Sequence, residues 1–359
     1  MRTISSYLLL PCAIVVGAVA HADPPLEHVT LQLKWKHQFQ FAGYYVALEK
    51  GFYREAGLDV SILPAEPGKP YIDPVLNGHA AFGVASSELA VLRAQGKPVV
   101  ALAPIYQHSP LVLIVAASSN IDNVHELAGK RIMIAPEEAE VFAYLQAEGL
   151  DLKSLQLIPH TYSPKELVAN KVDAVSGYST DEPFDLEMDK FKFSLFKPRS
   201  GGIDFYADTL FTTEDQIRDH PDRVKRFLEA SLRGWQYAFA HTNEVIDLIL
   251  EKYAPEKSRA HLVYEADESR RLIQPDLVEL GYSNPGRWKE IAEAYDRLGM
   301  MPKEWSIDGL LYDRHPNQIP RWVIGALGTS LVGHRHCRHV CPLSRAAERG
   351  EQAAGPRAP

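Results

Sequence analysis

Cysteine is nearly missing from this chain. Cys12, Cys337 and Cys341 are the only three in 359 residues, and all lie near the ends. The long stretch between them therefore has neither a disulfide framework nor a thiolate metal site to support its core. It is long enough to bury a core of its own. Lys/Arg runs are missing from the body as well, and the net charge is −8, so no nucleic-acid partner is expected. No glycine-rich phosphate loop follows a strand, and there is no G-x-S-x-G elbow, H-E-x-x-H pair or C-x-x-C pair. The histidines of the body are scattered singly. Local motifs alone propose no reaction.

Both ends differ from the body. Arg2 supplies a positive start, Tyr7 to Ala18 is an apolar run, and Ala20-His21-Ala22 offers small residues before Asp23. That is the pattern of a secretory signal peptide over residues 1–22, and the apolar run is short for a membrane span. Near the other end, "WVIGALGTSLVG" over 321–333 opens like a membrane helix after Arg321. It stops well short of the about 20 residues a span needs. Residues 334–359 are rich in Arg, Ala, Gly and Pro and read as a disordered tail. The tail carries His334, His336, Cys337, His339 and Cys341, a compositional hint of soft-metal binding. The abrupt change also fits a shifted reading frame inside a longer membrane protein.

Between the ends, strand and helix patterns alternate. Val29, Leu31, Leu33 and Trp35 alternate with polar residues, predicting a strand with one apolar face. Ala42 to Lys50 is helical in spacing, with Gly51 as a left-handed stop. Further strands are expected at 58–62, 80–84, 99–103, 111–115, 131–135, 155–158 and 172–176. "SPKE" at Ser163–Glu166 has the form of an N-cap serine, a proline at the first helical position and a capping-box glutamate. This alternation predicts parallel α/β sheets. From Pro221 the chain turns helical, and Val224, Phe227, Leu228, Leu232 and Trp235 form one apolar stripe.

The stretch "KWKHQFQFAGYYVALEKGFY", Lys34–Tyr53, holds seven aromatic rings, far more than folding alone requires. "LQLKWKHQFQFAGYYVALEKGFYREAGLDV" resembles the start of periplasmic solute-binding proteins of the thiamine-pyrimidine synthase-like and alkanesulfonate-binding superfamily. The resemblance runs on through "VLNGHAAFGVASSELAVLRAQGKPVVALA", "LAGKRIMIA", "KVDAVSGYSTDEP" and "DFYADTLFTTEDQIRDHPDRVKRFLEASLRGWQYAF". The HQFQFAGYY form, with an apolar segment near Trp322, most resembles the sensing domains of bacterial transmembrane sensors.

The resemblance implies an α/β, two-lobed type II periplasmic-binding fold with the ligand in the cleft between lobes. Residues 26–112 would form the first part of lobe 1, 113–204 lobe 2, and 205–320 a helical return to lobe 1. The crossings would fall at Pro104–Pro110 and Gly201–Leu210. Ligand groups then belong at strand carboxyl ends facing the cleft. Trp35, His37 and Tyr45 are the candidates at the first strand end, where rings can stack on a flat ligand. Phe39, Phe41, Tyr44 and Phe52 fit core packing instead. Ser86, Ser87 and Glu88 follow the strand at 80–84, where a helix start offers amides to an anionic group or simply a cap. Tyr178, Asp181 and Glu182 follow the strand at 172–176, and acidic groups there suit an amine or aminopyrimidine donor. Tyr106 and Asp204 enter from the crossings.

The implied function is periplasmic binding of a small heteroaromatic or amine-bearing solute, for ABC-type uptake through a transporter permease or for a membrane sensor. No cofactor is implied by that reading. The family's enzymatic branch, thiamine pyrimidine synthase, is the alternative, and it would bring pyridoxal phosphate and iron. The synthase pattern needs a pyridoxal-holding lysine two residues after Gly83 and a sacrificial histidine four residues further on. This sequence has Ala85 and Leu89 there, and neither can form an imine or donate imidazole atoms. "IDFYADTLFTT" also lacks the cysteines of the synthase run.

Overall fold

The computed structural model describes residues 25–314. The expected signal peptide, the membrane-like segment and the tail lie outside the described residues. Among those described, no helix is long and apolar enough to cross a membrane.

Among the described residues, ten strands form two five-stranded sheets. The first is ordered β2-β1-β3-β10-β4, where β1 is Glu27–Gln32, β2 Leu58–Leu63, β3 Phe82–Ala85, β4 Val99–Tyr106 and β10 Ala207–Thr213. The second is ordered β7-β6-β8-β5-β9, with β5 Leu111–Ala116, β6 Arg131–Met133, β7 Gln156–Ile158, β8 Ala174–Tyr178 and β9 Phe193–Phe196. The chain crosses from the first sheet to the second between Tyr106 and Leu111, and returns between Phe196 and Ala207.

The sheets are mixed rather than parallel, which corrects the expectation from alternation alone. β1 runs parallel to β2 and β3, and β6 runs parallel to β7 and β8. β10 is antiparallel to β3 and β4, and β5 is antiparallel to β8 and β9. The cause lies in the crossings. β4 ends on the cleft side, so the chain enters the second sheet there and β5 runs away from it. β10 makes the same reversed entry on the return. Two strands were not expected: Phe193–Phe196 shows no clean apolar alternation, and Ala207–Thr213 overlaps the stretch assigned to the return crossing.

Local chemistry sets most boundaries. Gly51 has φ +78, which ends the helix Ala42–Glu49 before the next turn starts. β1 ends at Gln32 as a regular strand, but the chain stays hydrogen-bonded to the segment after β2 up to Trp35. The Leu33 amide donates to the Leu63 oxygen (2.8 Å) and the Ala65 amide to the Trp35 oxygen (3.0 Å), so the alternation to Trp35 has a structural counterpart. The capping box at 163–166 does not form. Ser163 Oγ accepts only the Lys165 amide (3.3 Å), and Glu166 instead pairs with Lys171 at 3.9 Å.

The helix Pro221–Ala240 buries its apolar stripe as its spacing predicts, with Val224, Phe227 and Trp235 fully enclosed. Phe227 stacks on Phe82 of β3 at 3.9 Å and on Tyr53 at 4.9 Å. Gly43 and Gly234 let this helix approach Ala42–Glu49 closely. A Cβ on Gly43 would lie 2.2 Å from the Trp235 ring, and one on Gly234 would lie 2.0 Å from the Gly43 carbonyl oxygen. Phe39, Phe41, Tyr44 and Phe52 are buried in this core.

Candidate functional site

A cleft opens where the carboxyl ends of the two sheets face each other, and each strand end delivers polar groups to it. Past β1 come Lys34 and Trp35. Past β3 come Ser86, Ser87 and Glu88. From the second sheet, the segment after β6 supplies Glu137, Glu138 and Glu140, and β8 with its following turn supplies Ser176, Tyr178, Asp181 and Glu182.

Trp35 stands at one wall with its ring centroid 5.8 Å from that of Tyr162, which reaches over from the other sheet's side. Tyr162 Oη donates to Glu137 at 3.1 Å. His160 is fixed beneath it, since Nδ1 accepts the Tyr162 amide (2.9 Å) and Nε2 lies 3.2 Å from the Ser176 carbonyl oxygen. Burial lowers the pKa of His160.

Lys34 crosses the floor. Its ammonium donates to Ser86 Oγ and to Tyr178 Oη, both at 2.5 Å, and lies 5.1 Å from the Tyr178 ring centroid. Burial works against this charge, but Tyr178, Asp208 and Glu88 outweigh it and hold Lys34 well above its usual range. Gln40 Nε2 donates to buried Asp208 at 2.6 Å.

Before the helix Leu89–Ala94, the Ser86 amide is not open to an anion. Glu88 Oε1 itself accepts from the Ser86 amide (3.0 Å) and from Tyr71 Oη (2.7 Å), so the chain's own carboxylate fills that place. Ser87 bonds Tyr295 Oη at 2.7 Å.

On the opposite wall, Glu182 folds back so that Oε2 accepts the Tyr178 amide at 2.7 Å. Gly177 permits this, because a Cβ there would meet that carboxylate at 2.9 Å. Glu138 accepts from the Ala135 amide (3.1 Å) and from Ser176 Oγ. Burial pushes Glu138 up to about 7 and Glu140 and Glu182 up to about 8.

Asp181 joins the two halves of the site. Its Oδ1 lies 2.7 Å from Lys257 Nζ and 2.7 Å from His261 Nε2, both from the region of the helix Arg259–Ile273. Burial would raise the Asp181 pKa, but His261 and Lys257 reverse this and keep it below the ordinary value. Lys257 also pairs with fully buried Glu265. Asp181, His261 and Glu265 bring ligand-type atoms within 4.8 Å of one another. The Lys257 ammonium already sits among them, so the chain supplies its own cation there.

Of the residues proposed from sequence, Trp35, Ser86, Ser87, Glu88, Tyr178, Asp181 and Glu182 line the cleft. His37, Tyr45, Tyr106 and Asp204 are not among its lining residues. His37 bonds Tyr45 Oη at 2.9 Å, and Tyr45 is fully buried and stacked on Tyr253 at 4.0 Å. Tyr106 is buried with its hydroxyl on Ser269 Oγ (2.7 Å). Asp204 binds His108 and Arg287. Sequence reading passed over Lys34, Gln40, Glu138, Glu140, His160 and Tyr162. The strand-end logic applied to β8 would have found "PEEAE" after β6, since Glu137, Glu138 and Glu140 occupy the same place in the second sheet.

Ala85 and Leu89, the positions where the synthase pattern needs its lysine and histidine, are both fully buried.

A family model described as NMT1/THI5 like matches residues 38–245. The riboflavin-binding protein RibY of Chloroflexus aurantiacus is 27% identical over 312 residues, covering 81% of this chain and 87% of that one. The formylaminopyrimidine-binding protein of Halalkalibacterium halodurans is 24% identical, covering 77% and 87%. A 4-amino-5-hydroxymethyl-2-methylpyrimidine phosphate synthase of Legionella pneumophila is 27% identical, covering 63% and 73%. In fold, the chain is similar to the periplasmic aliphatic sulphonate binding protein SsuA of Escherichia coli, with a TM-score of 0.62, 12% identity and coverage of 91% and 98%.

Proposed function

The chain belongs to the NMT1/THI5-like family, and on that premise we propose that it is an exported receptor for a small, flat, nitrogen-bearing solute. Its first lobe is built on the sheet that the chain leaves after Tyr106 and rejoins at Ala207, its second on the sheet between Leu111 and Phe196, and the signal peptide is removed near His21 or Asp23. The receptor hands its solute to an ABC-type permease or reports it to a membrane sensor. The observation that carries this reading is the cleft itself. Trp35 and Tyr162 offer a stacking wall, and the acidic residues of the second lobe offer acceptors for N–H groups.

The synthase reading has less support. Imine formation needs a neutral amine. Lys34 is the half-buried lysine on the floor of the cleft, and its surroundings hold it protonated. His160 is tied at both ring nitrogens.

Native mass spectrometry of the exported form tests the proposal. A co-purified heteroaromatic of small mass, released when Trp35 is replaced by Ala, is the expected result. A chain that keeps Met1 and carries no such ligand after solute-rich growth would sink it.

A further inference from the structure

The cleft is lined by seven carboxylic side chains and two lysines. Most of these charges are already answered within the protein. Lys34 is committed to Ser86 and Tyr178. Lys69 pairs with Glu66 at 2.5 Å on the exposed rim. Asp181 has Lys257 and His261, and Glu88 has Tyr71 and the Ser86 amide.

Three carboxyls on the second-lobe wall are different. Glu138 receives a hydroxyl and an amide, Glu182 receives an amide, and Glu140 has the Ser109 hydroxyl. Every one of these donors is neutral. Among the described residues, no ammonium or guanidinium forms an ion pair with any of the three. His160 cannot supply the charge, because one of its ring nitrogens accepts a backbone amide and the ring is held neutral. Tyr71, Tyr162, Tyr178 and Tyr295, which also face this wall, bring no positive charge.

We propose that the cleft takes its ligand as an organic cation: a flat ring with delocalised positive charge and N–H donors, held by Glu138, Glu140 and Glu182. This rests on the solute-receptor reading of the same cleft and names the charge state that reading leaves open. Burial dominates at all three. Lys34 acts on Glu138 and Glu140, and Arg287 on Glu140, without forming an ion pair, while Glu137, Asp204 and Asp181 push the other way. Carboxyls desolvated without a paired counter-charge retain protons, in keeping with the upward shifts of all three groups. An arriving cation supplies the missing charge, and the displaced proton passes to solvent. Each N–H donor of the ring then faces a carboxylate oxygen, a charge-assisted contact stronger than one to a neutral acceptor. An anionic ligand would gain no such contact and would hold the three carboxyls in their protonated form, with Lys34 already committed to Ser86 and Tyr178.

Isothermal calorimetry on the exported chain tests this with two rings of equal size. One is 4-amino-1-methylpyrimidinium, charged throughout the pH range tested. The other is 4-amino-6-methylpyrimidine, a ring with the same heavy atoms that is neutral at about pH 8. At about pH 8 the cation is expected to bind at least about tenfold tighter, with net proton release visible as a difference between buffers of unlike ionisation heat. Its affinity should fall by up to about tenfold per pH unit as the pH drops toward about 6, the limit for one linked proton. Glu138→Gln and Glu182→Gln should each narrow the preference and cut the proton release, with folding checked by melting of the free proteins. Equal or tighter binding of the neutral ring without proton release overturns the cation inference and leaves the receptor reading standing. Failure of both rings to bind overturns both.

Discussion

His108 Nδ1 lies 2.9 Å from the Asp204 carboxylate, and this contact ties the first crossing between the sheets to the second. Arg287 closes the same knot from the helix Pro285–Arg297, with 2.9 Å to the Asp204 carboxylate and two hydrogen bonds to its backbone oxygen. Asp204 therefore belongs to the connection between lobes. Asp204→Ala should cost about 1–3 kcal/mol of stability, since it leaves part-buried donors unpaired. Small-angle scattering should show a larger radius of gyration for the free protein. An unchanged radius with unchanged melting would mean that the knot does not restrain the lobes.

Trp35 is half-buried, and its ring meets Tyr162 from the opposite wall. Trp35→Ala is expected to weaken solute binding by about 1–3 kcal/mol, in the range of stacking losses measured for flat ring ligands. Trp35→Phe should recover part of the loss. If melting collapses instead, Trp35 serves the core and the stacking assignment fails.

Gly43 lies against the Trp235 ring with no room for another atom. Gly43→Ala should destabilise the first lobe by about 2–3 kcal/mol through overpacking. Denaturant titration read by tryptophan fluorescence measures this, and a neutral result would mean that the two helices can separate at little cost.

The pH dependence of the ligand-free protein follows from its buried acids. Burial pushes Glu138 and Glu265 up to about 7, and Glu140 and Glu182 up to about 8. Their folded values lie above the unfolded ones, so the folded state binds the extra protons and stability rises as pH falls from about 8.5 to about 6.5. Below that, His37 and His160 oppose the trend. Burial lowers their folded values, so the unfolded chain takes up protons first. Two histidines offset only part of the four acids, so calorimetric melting should keep rising as the pH falls toward about 5, less steeply below about 6.5, and Glu138→Gln with Glu182→Gln should flatten the alkaline side. Melting that falls steadily from pH 8.5 to 6.5 would contradict the assignment.

Lys34 should resist imine formation. Mixed with pyridoxal phosphate and iron, the protein is expected to form no pyrimidine and to lose no histidine mass. Borohydride reduction followed by peptide mapping should leave Lys34 unmodified. A pyridoxyl group on Lys34, with a fragmented histidine, would restore the synthase reading.

Much of this architecture could be read in the sequence, because strand and helix periods differ and the body is rich in both. The stripe from Val224 to Trp235 and the stop at Gly51 needed only spacing and backbone freedom. The reversal of β5 and β10 could not be read that way. Strand direction depends on where the crossings enter, and alternation is blind to that. In the site, the strand-end rule found Tyr178 and Glu182 but also admitted His37 and Tyr45. The tight turn after Trp35 points those two rings away from the cleft and toward Tyr253, and no local pattern encodes such a turn. Lys34 was overlooked because a lysine in an alternating strand reads as a solvated residue. Its partners, Ser86 and Tyr178, lie far away in the chain.

Ser109 and Leu111 both line the cleft, and they flank the point where the chain crosses from one sheet to the other. On the receptor reading proposed above, a solute in this cleft would rest on the fulcrum as well as on the jaws. A molecule one ring wider at that end would then act as a wedge, changing the angle between the lobes before it strained any contact at the mouth. Size selection in such a receptor would be mechanical.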